Sequence, residues 1–124
     1  MNTGKIQSFT DLNSWKEGHK LVLAIYKTIK TFPSDERYSL IDQMRRCAVS
    51  ITSNIAEGFS RQFYKEKVQF YSMALGSLTE LQNQLLVAKD VGYMNKDEFT
   101  ALANQTVIVH KLIIGLLKSS RAKI

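Results

Sequence analysis

"SITSNIAEGFSR", residues 50–61, carries two patterns at once. Ile51 and Ile55 recur at the four-residue step of a helix with one buried face. Ser50, Asn54, Glu57 and Arg61 follow at steps of four, three and four, so they share a neighbouring face, which Arg46 extends backward by four. Gly58 then falls in a helical pattern, where it costs about 1 kcal/mol relative to alanine. A polar stripe and a glycine beside an apolar stripe suit a helix with something packed closely against it.

Working outward, residues 35–58 read as this helix, burying Leu40 or Ile41, Met44, Cys47 or Ala48, Ile51 and Ile55. Ser34 can cap its start, and Asp35 and Glu36 suit the positive end of its dipole. Upstream, Leu12, Trp15, His19, Val22, Tyr26 and Ile29 mark a helix over 11–31 that Pro33 brings to an end. Thr10, Asp11 or Ser14 can open it, and Ser14 with Glu17 has capping-box spacing. Downstream, Tyr71, Ala74, Leu78, Leu81, Leu85 and Ala88 define a helix over 64–91, closed by Gly92. Asn95 with Glu98 makes a capping box for a last helix over 96–121. Four long helices with short connections predict an all-α, antiparallel up-down-up-down four-helix bundle, one domain over 1–124.

Two surfaces carry more apolar residues than one interior needs. "TVIVHKLIIGLL" in the last helix is apolar around much of its circumference, and Leu21, Leu23 and Ile25 lie beside the first helix's stripe. Either the core-facing arcs are wide, or these faces are buried against other subunits. The expectation taken here is a homo-oligomer.

Composition sets further limits. The chain has 124 residues, 44% hydrophobic and 23% charged, which is ordinary globular composition. Its formal charge is +6, compatible with a nucleic-acid or acidic-protein partner. The single cysteine, Cys47, fits a small buried apolar role in a reducing compartment. "MNTGKIQSF" at residues 1–9 has no leader-like apolar core, and no run approaches the roughly 18 apolar residues of a membrane helix. A cytoplasmic protein with no membrane role is expected.

Catalytic constellations are missing from the sequence. Di-iron bundles need Glu-x-x-His pairs, but Lys16 and Val107 stand three residues before His19 and His110. No Cys/His cluster has zinc spacing, no glycine-rich phosphate loop follows a strand, and no local motif supplies a base to a nucleophile. The two histidines read as packing residues. A non-enzymatic protein without metal or cofactor is expected.

The polar stripe has two readings. Ser50, Asn54, Glu57 and Gly58, with Gly76, Ser77 and Glu80 of the third helix, form a packing network in which Gly76 makes room. Alternatively, Glu57 and Glu80 form a carboxylate pair lining a pocket for a cation or small ligand.

"SITSNIAEGFSR" followed by "FYSMALGSLTELQNQLLVAKDVGYM" resembles the four-helix bundle family named for proteins encoded in 23S ribosomal RNA intervening sequences. "DLNSWKEGHKLVLAIYKTIKTFP" and "LIDQMRRCAVS" extend the similarity over 9–117, and Asn54–Gly58 with Ala74–Glu80 carry its most specific elements. The resemblance implies an antiparallel bundle assembled as a ring-like homopentamer, with ribosomal RNA association suspected. A related branch serves as the accessory protein of reverse transcriptases in diversity-generating retroelements. Thr52 stands where the family often has proline, and Phe63 where a capping serine is frequent.

Bundle topology gathers both termini and the second turn at one pole. Lys5, Lys16, Arg61, Lys65, Lys67, Lys118, Arg121 and Lys123 meet Asp11, Glu17, Glu57 and Glu66 there, whereas the other pole is close to neutral. Arg61, Lys65, Lys67, Lys118, Arg121 and Lys123 are the candidate phosphate contacts. Phe59, Phe63 and Tyr64 lie near them, either stacking on unpaired bases or sealing the core. RNA is the favoured partner. A protein partner such as a reverse transcriptase, bound by a scaffold that uses charge for steering, is the alternative.

Overall fold

The computed structural model describes residues 4–124, and among them all regular structure is helical. Residues 1–3, the start of the segment read for a leader, lie outside the described residues. Four long helices, α1 (Asn13–Ile29), α2 (Asp42–Ser60), α3 (Tyr64–Asp90) and α4 (Lys96–Arg121), pack as a bundle. Helix α2 lies on α3, α3 on α4, and α1 closes the set against both α2 and α4. Leu21, Ile25, Met44, Ile51, Ile55, Leu78, Leu81, Val109 and Ile113 meet in the shared core and lose all contact with solvent.

Helix α3 buries Tyr71, Ala74, Leu78, Leu81, Leu85 and Ala88, the stripe that its spacing predicts. Its end is a Schellman closure: Gly92 takes φ +89°, its N–H reaches the Lys89 carbonyl, and the Tyr93 N–H reaches that of Ala88. Asn95 then accepts from the Glu98 amide at 2.8 Å while Glu98 accepts from the Asn95 amide, so α4 opens with the expected box.

Helix α1 is turned from the expected register. Its buried face is Ser14, Gly18, Leu21, Val22, Ile25 and Ile29. Leu21 and Ile25, expected beside the stripe, are wholly buried, whereas Tyr26 is 40% exposed and Leu23 57%. The small residues decide this register. A Cβ at Gly18 would lie 3.1 Å from Thr52 Cγ2, so the bare glycine brings α1 close to α2, and the larger amphipathic Trp15, His19 and Tyr26 move to the flank.

Two helix starts also differ. Ser8 and Asp11 cap a short 3₁₀ turn, Phe9–Asp11, while α1 begins at Asn13 with Leu12 at its N-cap and no side-chain cap. Ser14 is buried with an unpartnered hydroxyl, and Glu17 bonds to Lys20 and Gln105 instead of closing a box. The predicted straight helix from residue 35 is a 3₁₀ turn, Ser34–Glu36, then a π-helical turn, Arg37–Ile41, and regular α-helix only from Asp42. Glu36, expected to face the start of a straight helix, is instead held by Tyr93, whose hydroxyl donates to its carboxylate at 2.7 Å, and by the Ser39 hydroxyl.

Helix α4 corrects another expectation. By length and composition it is apolar enough to cross a bilayer, although only 28% of its most apolar stretch is buried in the bundle. Thr106, Val109, Ile113 and Leu117 face the core, whereas Val107 and Ile108 are 47% and 43% exposed on opposite flanks.

Candidate nucleic-acid interface

The polar stripe resolves into a cross-helix network. Ser50 Oγ lies 2.8 Å from Ser77 Oγ, joining α2 to α3. Asn54 Nδ2 donates back to the Ser50 carbonyl at 2.9 Å and to Ser50 Oγ at 3.1 Å. Cys47 completes it: its thiol donates to the Ser77 carbonyl at 2.9 Å and faces the Glu80 carboxylate at 3.7 Å. Burial, then the neighbouring Glu80 charge, pushes this thiol's pKa up to about 12. The sequence reading missed Cys47's role because nothing in its own helix distinguishes a thiol bonded across the interface from a small apolar residue.

Glu57 and Glu80 do not form a pair. Glu80 stands beside Cys47, and Glu57 lies ten residues farther along α2, about 15 Å at the helical rise. Glu57 serves the end of its own helix, accepting from Ser60 Oγ at 3.0 Å and lying 3.7 Å from Arg61 Nη2. The two-carboxylate ligand pocket is therefore not built. A shallow cleft of about 350 Å³ runs over Cys47, Ser50, Ser77 and Glu80, but Glu57 does not line it.

The two stripe glycines behave differently. A Cβ at Gly58 would sit 2.6 Å from Tyr71 Cε1 and 3.1 Å from Phe70 Cβ, so glycine is what lets α3 fold back against the end of α2. At Gly76 an added Cβ meets nothing within 4 Å, so the expected close approach within the chain is absent there.

At the pole, the six candidate cations divide into two groups. Lys67 is used internally: its ammonium donates to the Phe59 carbonyl at 2.7 Å and the Gly58 carbonyl at 3.3 Å, closing the end of α2. Burial lowers its pKa from the ordinary lysine value. The Arg61 guanidinium lies 4.6 Å from the Phe70 ring centre, beside Glu57. Lys123 sits 5.2 Å from the Tyr64 ring centre, tying the tail of α4 to the start of α3. Lys65, Lys118 and Arg121 are exposed and, among the described residues, make no ion pair. Phe63 stands 62% exposed at the start of α3, two residues before Lys65, while Tyr64 is held between Lys67 and Lys123. Lysine and arginine charge together with an open aromatic face are what a polyanion with unpaired bases requires.

The sequence signature of the 23S rRNA-intervening sequence protein family matches residues 10–115. The chain belongs to that family. Among solved structures, it is similar to a protein of unknown function from the S23 ribosomal protein family of Bacteroides thetaiotaomicron. That likeness has a TM-score of 0.79 at 19% identity, covering 85% of this chain and 95% of the other, and it establishes a shared fold. No curated protein matches the chain.

Proposed function

We propose that this family member is a non-enzymatic, self-associating cytoplasmic bundle that holds RNA on its basic pole. The observation that carries the proposal is that Lys65, Lys118 and Arg121 stand open at the pole where α3 begins and α4 ends, with Phe63 exposed at the start of α3. Each contact to phosphate releases counterions, so affinity falls steeply with salt and depends little on sequence. A single chain offers few such contacts. Assembly with parallel axes repeats them around a rim, and the family resemblance implies five copies.

The surplus apolar surface of α4 supports assembly. We assign it to protein contact and not to lipid, because Asn104, Gln105, His110 and Lys111 interrupt it and charged or polar groups are costly in a bilayer. The same surface favours the second reading, a scaffold for a protein partner.

The deciding experiment changes Lys65, Lys118 and Arg121 together to glutamate and measures RNA retention and helical content. Lys67 and Arg61 are left intact because they hold the end of α2. Loss of retention with full helicity is expected; retention unchanged across a salt series would remove the RNA proposal and leave the scaffold.

A further inference from the structure

The solvent face of α1 carries a cationic row that starts at the basic pole with Lys16 and runs along the helix toward the other end of the bundle. Lys16, Lys20, Leu23, Lys27 and Lys30 follow at steps of four, three, four and three, forming one outward row about 21 Å long. All four lysines are exposed. The carboxylates near them are occupied elsewhere or already paired. Glu17, the one acid of α1, holds Lys20 at 2.8 Å and also accepts from Gln105, and Asp11, near Lys16, accepts from the Gln7 and Ser8 amides. Lys16, Lys27 and Lys30 make no ion pair among the described residues.

A row of flat rings runs beside the lysines. Trp15 and His19 stack at 4.7 Å with planes 11° apart, both half-buried. Two turns on, Tyr26 is 40% exposed, placed at helical spacing from Leu23 and Lys30. Tyr26 is too open to belong to the core, and Lys30 stands one helical turn from it.

We propose that this face of α1 is a binding track for single-stranded RNA, with the lysine row following the phosphates and Tyr26 stacking on a base. The inference rests on the RNA function proposed above but uses the lysine row of α1 and none of Lys65, Lys118 and Arg121. Cations alone would suit duplex RNA or an acidic protein equally. The parallel ring row selects a strand whose bases are free.

The test measures binding of a mixed-sequence 20-nucleotide single-stranded RNA by anisotropy across a salt series, with inorganic polyphosphate as a base-free comparison. Changing Lys16, Lys20, Lys27 and Lys30 to glutamine should lower the log-affinity against log-salt slope by between 2 and 3, at roughly 0.7 per lost single-strand phosphate contact. Tyr26→Ala should weaken the RNA about tenfold and leave polyphosphate unchanged. Glutamine is a good helix former, and helical content read in parallel confirms that the bundle is intact. An unchanged slope in the four-lysine variant overturns the track. So does an equal loss of polyphosphate with Tyr26→Ala, or duplex RNA bound as tightly as the single strand. If the pole variant loses RNA while the α1 variant keeps it, the track falls and the proposed function stands; if neither loses it, both fall.

Discussion

Gly58 lies in the last turn of α2 and Gly76 midway along α3, and the fold treats them oppositely. Adding a methyl at Gly58 drives it into Tyr71, a ring that is only 3% exposed and has nowhere to move. Gly58→Ala is expected to cost about 1–3 kcal/mol in urea unfolding, from overpacking. Gly76→Ala, in open space, should gain up to about 1 kcal/mol in the dilute single chain. A neutral Gly58→Ala would show that the contact with Tyr71 does not constrain the turn between α2 and α3. Sequence pattern marks both glycines as unusual but cannot separate them, because the deciding neighbour sits on another helix. The same limit applies to Cys47. With its pKa near 12, the native thiol should resist maleimide at pH 8 and react once the chain unfolds. Its value is raised above the ordinary 9.0, so the stability it adds is full below pH 9 and fades as pH climbs toward 12. Rapid native labelling would mean that the bond to Ser77 is not kept.

Helix ends were legible where the signal is local. Gly92 and the Asn95–Glu98 box lie within a few residues of the groups they satisfy, so the pattern suffices. Ser14–Glu17 has the same spacing, and Ser34 precedes acids suited to a helix start, but Glu17 and Glu36 are claimed by Gln105 and Tyr93 from α4 and the α3–α4 turn. Tertiary demand outweighs a cap that contributes about 1 kcal/mol. Glu36 is held below its ordinary value of 4.5, first by Ser39 and then by Tyr93, so its support for segment 34–41 is present above that value. That support is lost as pH falls through the lowered pKa. Hydrogen-exchange protection in this segment, relative to the unstructured chain at the same pH, should therefore fall in acid before the core loosens, and Glu36→Gln should lower it already at neutral pH. Helix α3 shows the reverse case, a start without its cap. Phe63 occupies the N-cap position in extended conformation and gives the helix no side-chain bond. Phe63→Asp is expected to stabilise the bundle by about 1 kcal/mol, raising Tm by roughly 3–5 °C in calorimetry. An unchanged Tm would mean that the exposed ring already contributes as much as a cap would.

At the scale of the whole molecule, the architecture was legible because four apolar periods and three breaks leave few other ways to bury them. The register of α1 was not legible, since apolar residues occupy most of its circumference around 21–26 and only Gly18 against Thr52 chooses the side. That correction bears on assembly. With Leu21 and Ile25 in the core, α1 supplies less spare apolar surface than its sequence suggests, and the case for self-association moves to α4. There, Ile108 stands on one flank and Val107 on the other, the latter sharing a groove of about 300 Å³ with Leu86, Phe99 and Ala103. Both side chains are exposed in the single chain, so Val107→Gln with Ile108→Gln should change monomer stability by no more than about 0.5 kcal/mol. If these flanks are buried between subunits, the same pair should shift sedimentation from an assembled species to a 14.1 kDa chain. A rim built by assembly multiplies phosphate contacts on one particle, so the dissociated variant should also show a shallower salt dependence for RNA, although no cation has been changed. A wild-type protein that sediments as single chains at tens of micromolar would sink the assembly. A dissociated variant that kept the full salt slope would instead confine RNA binding to a single subunit.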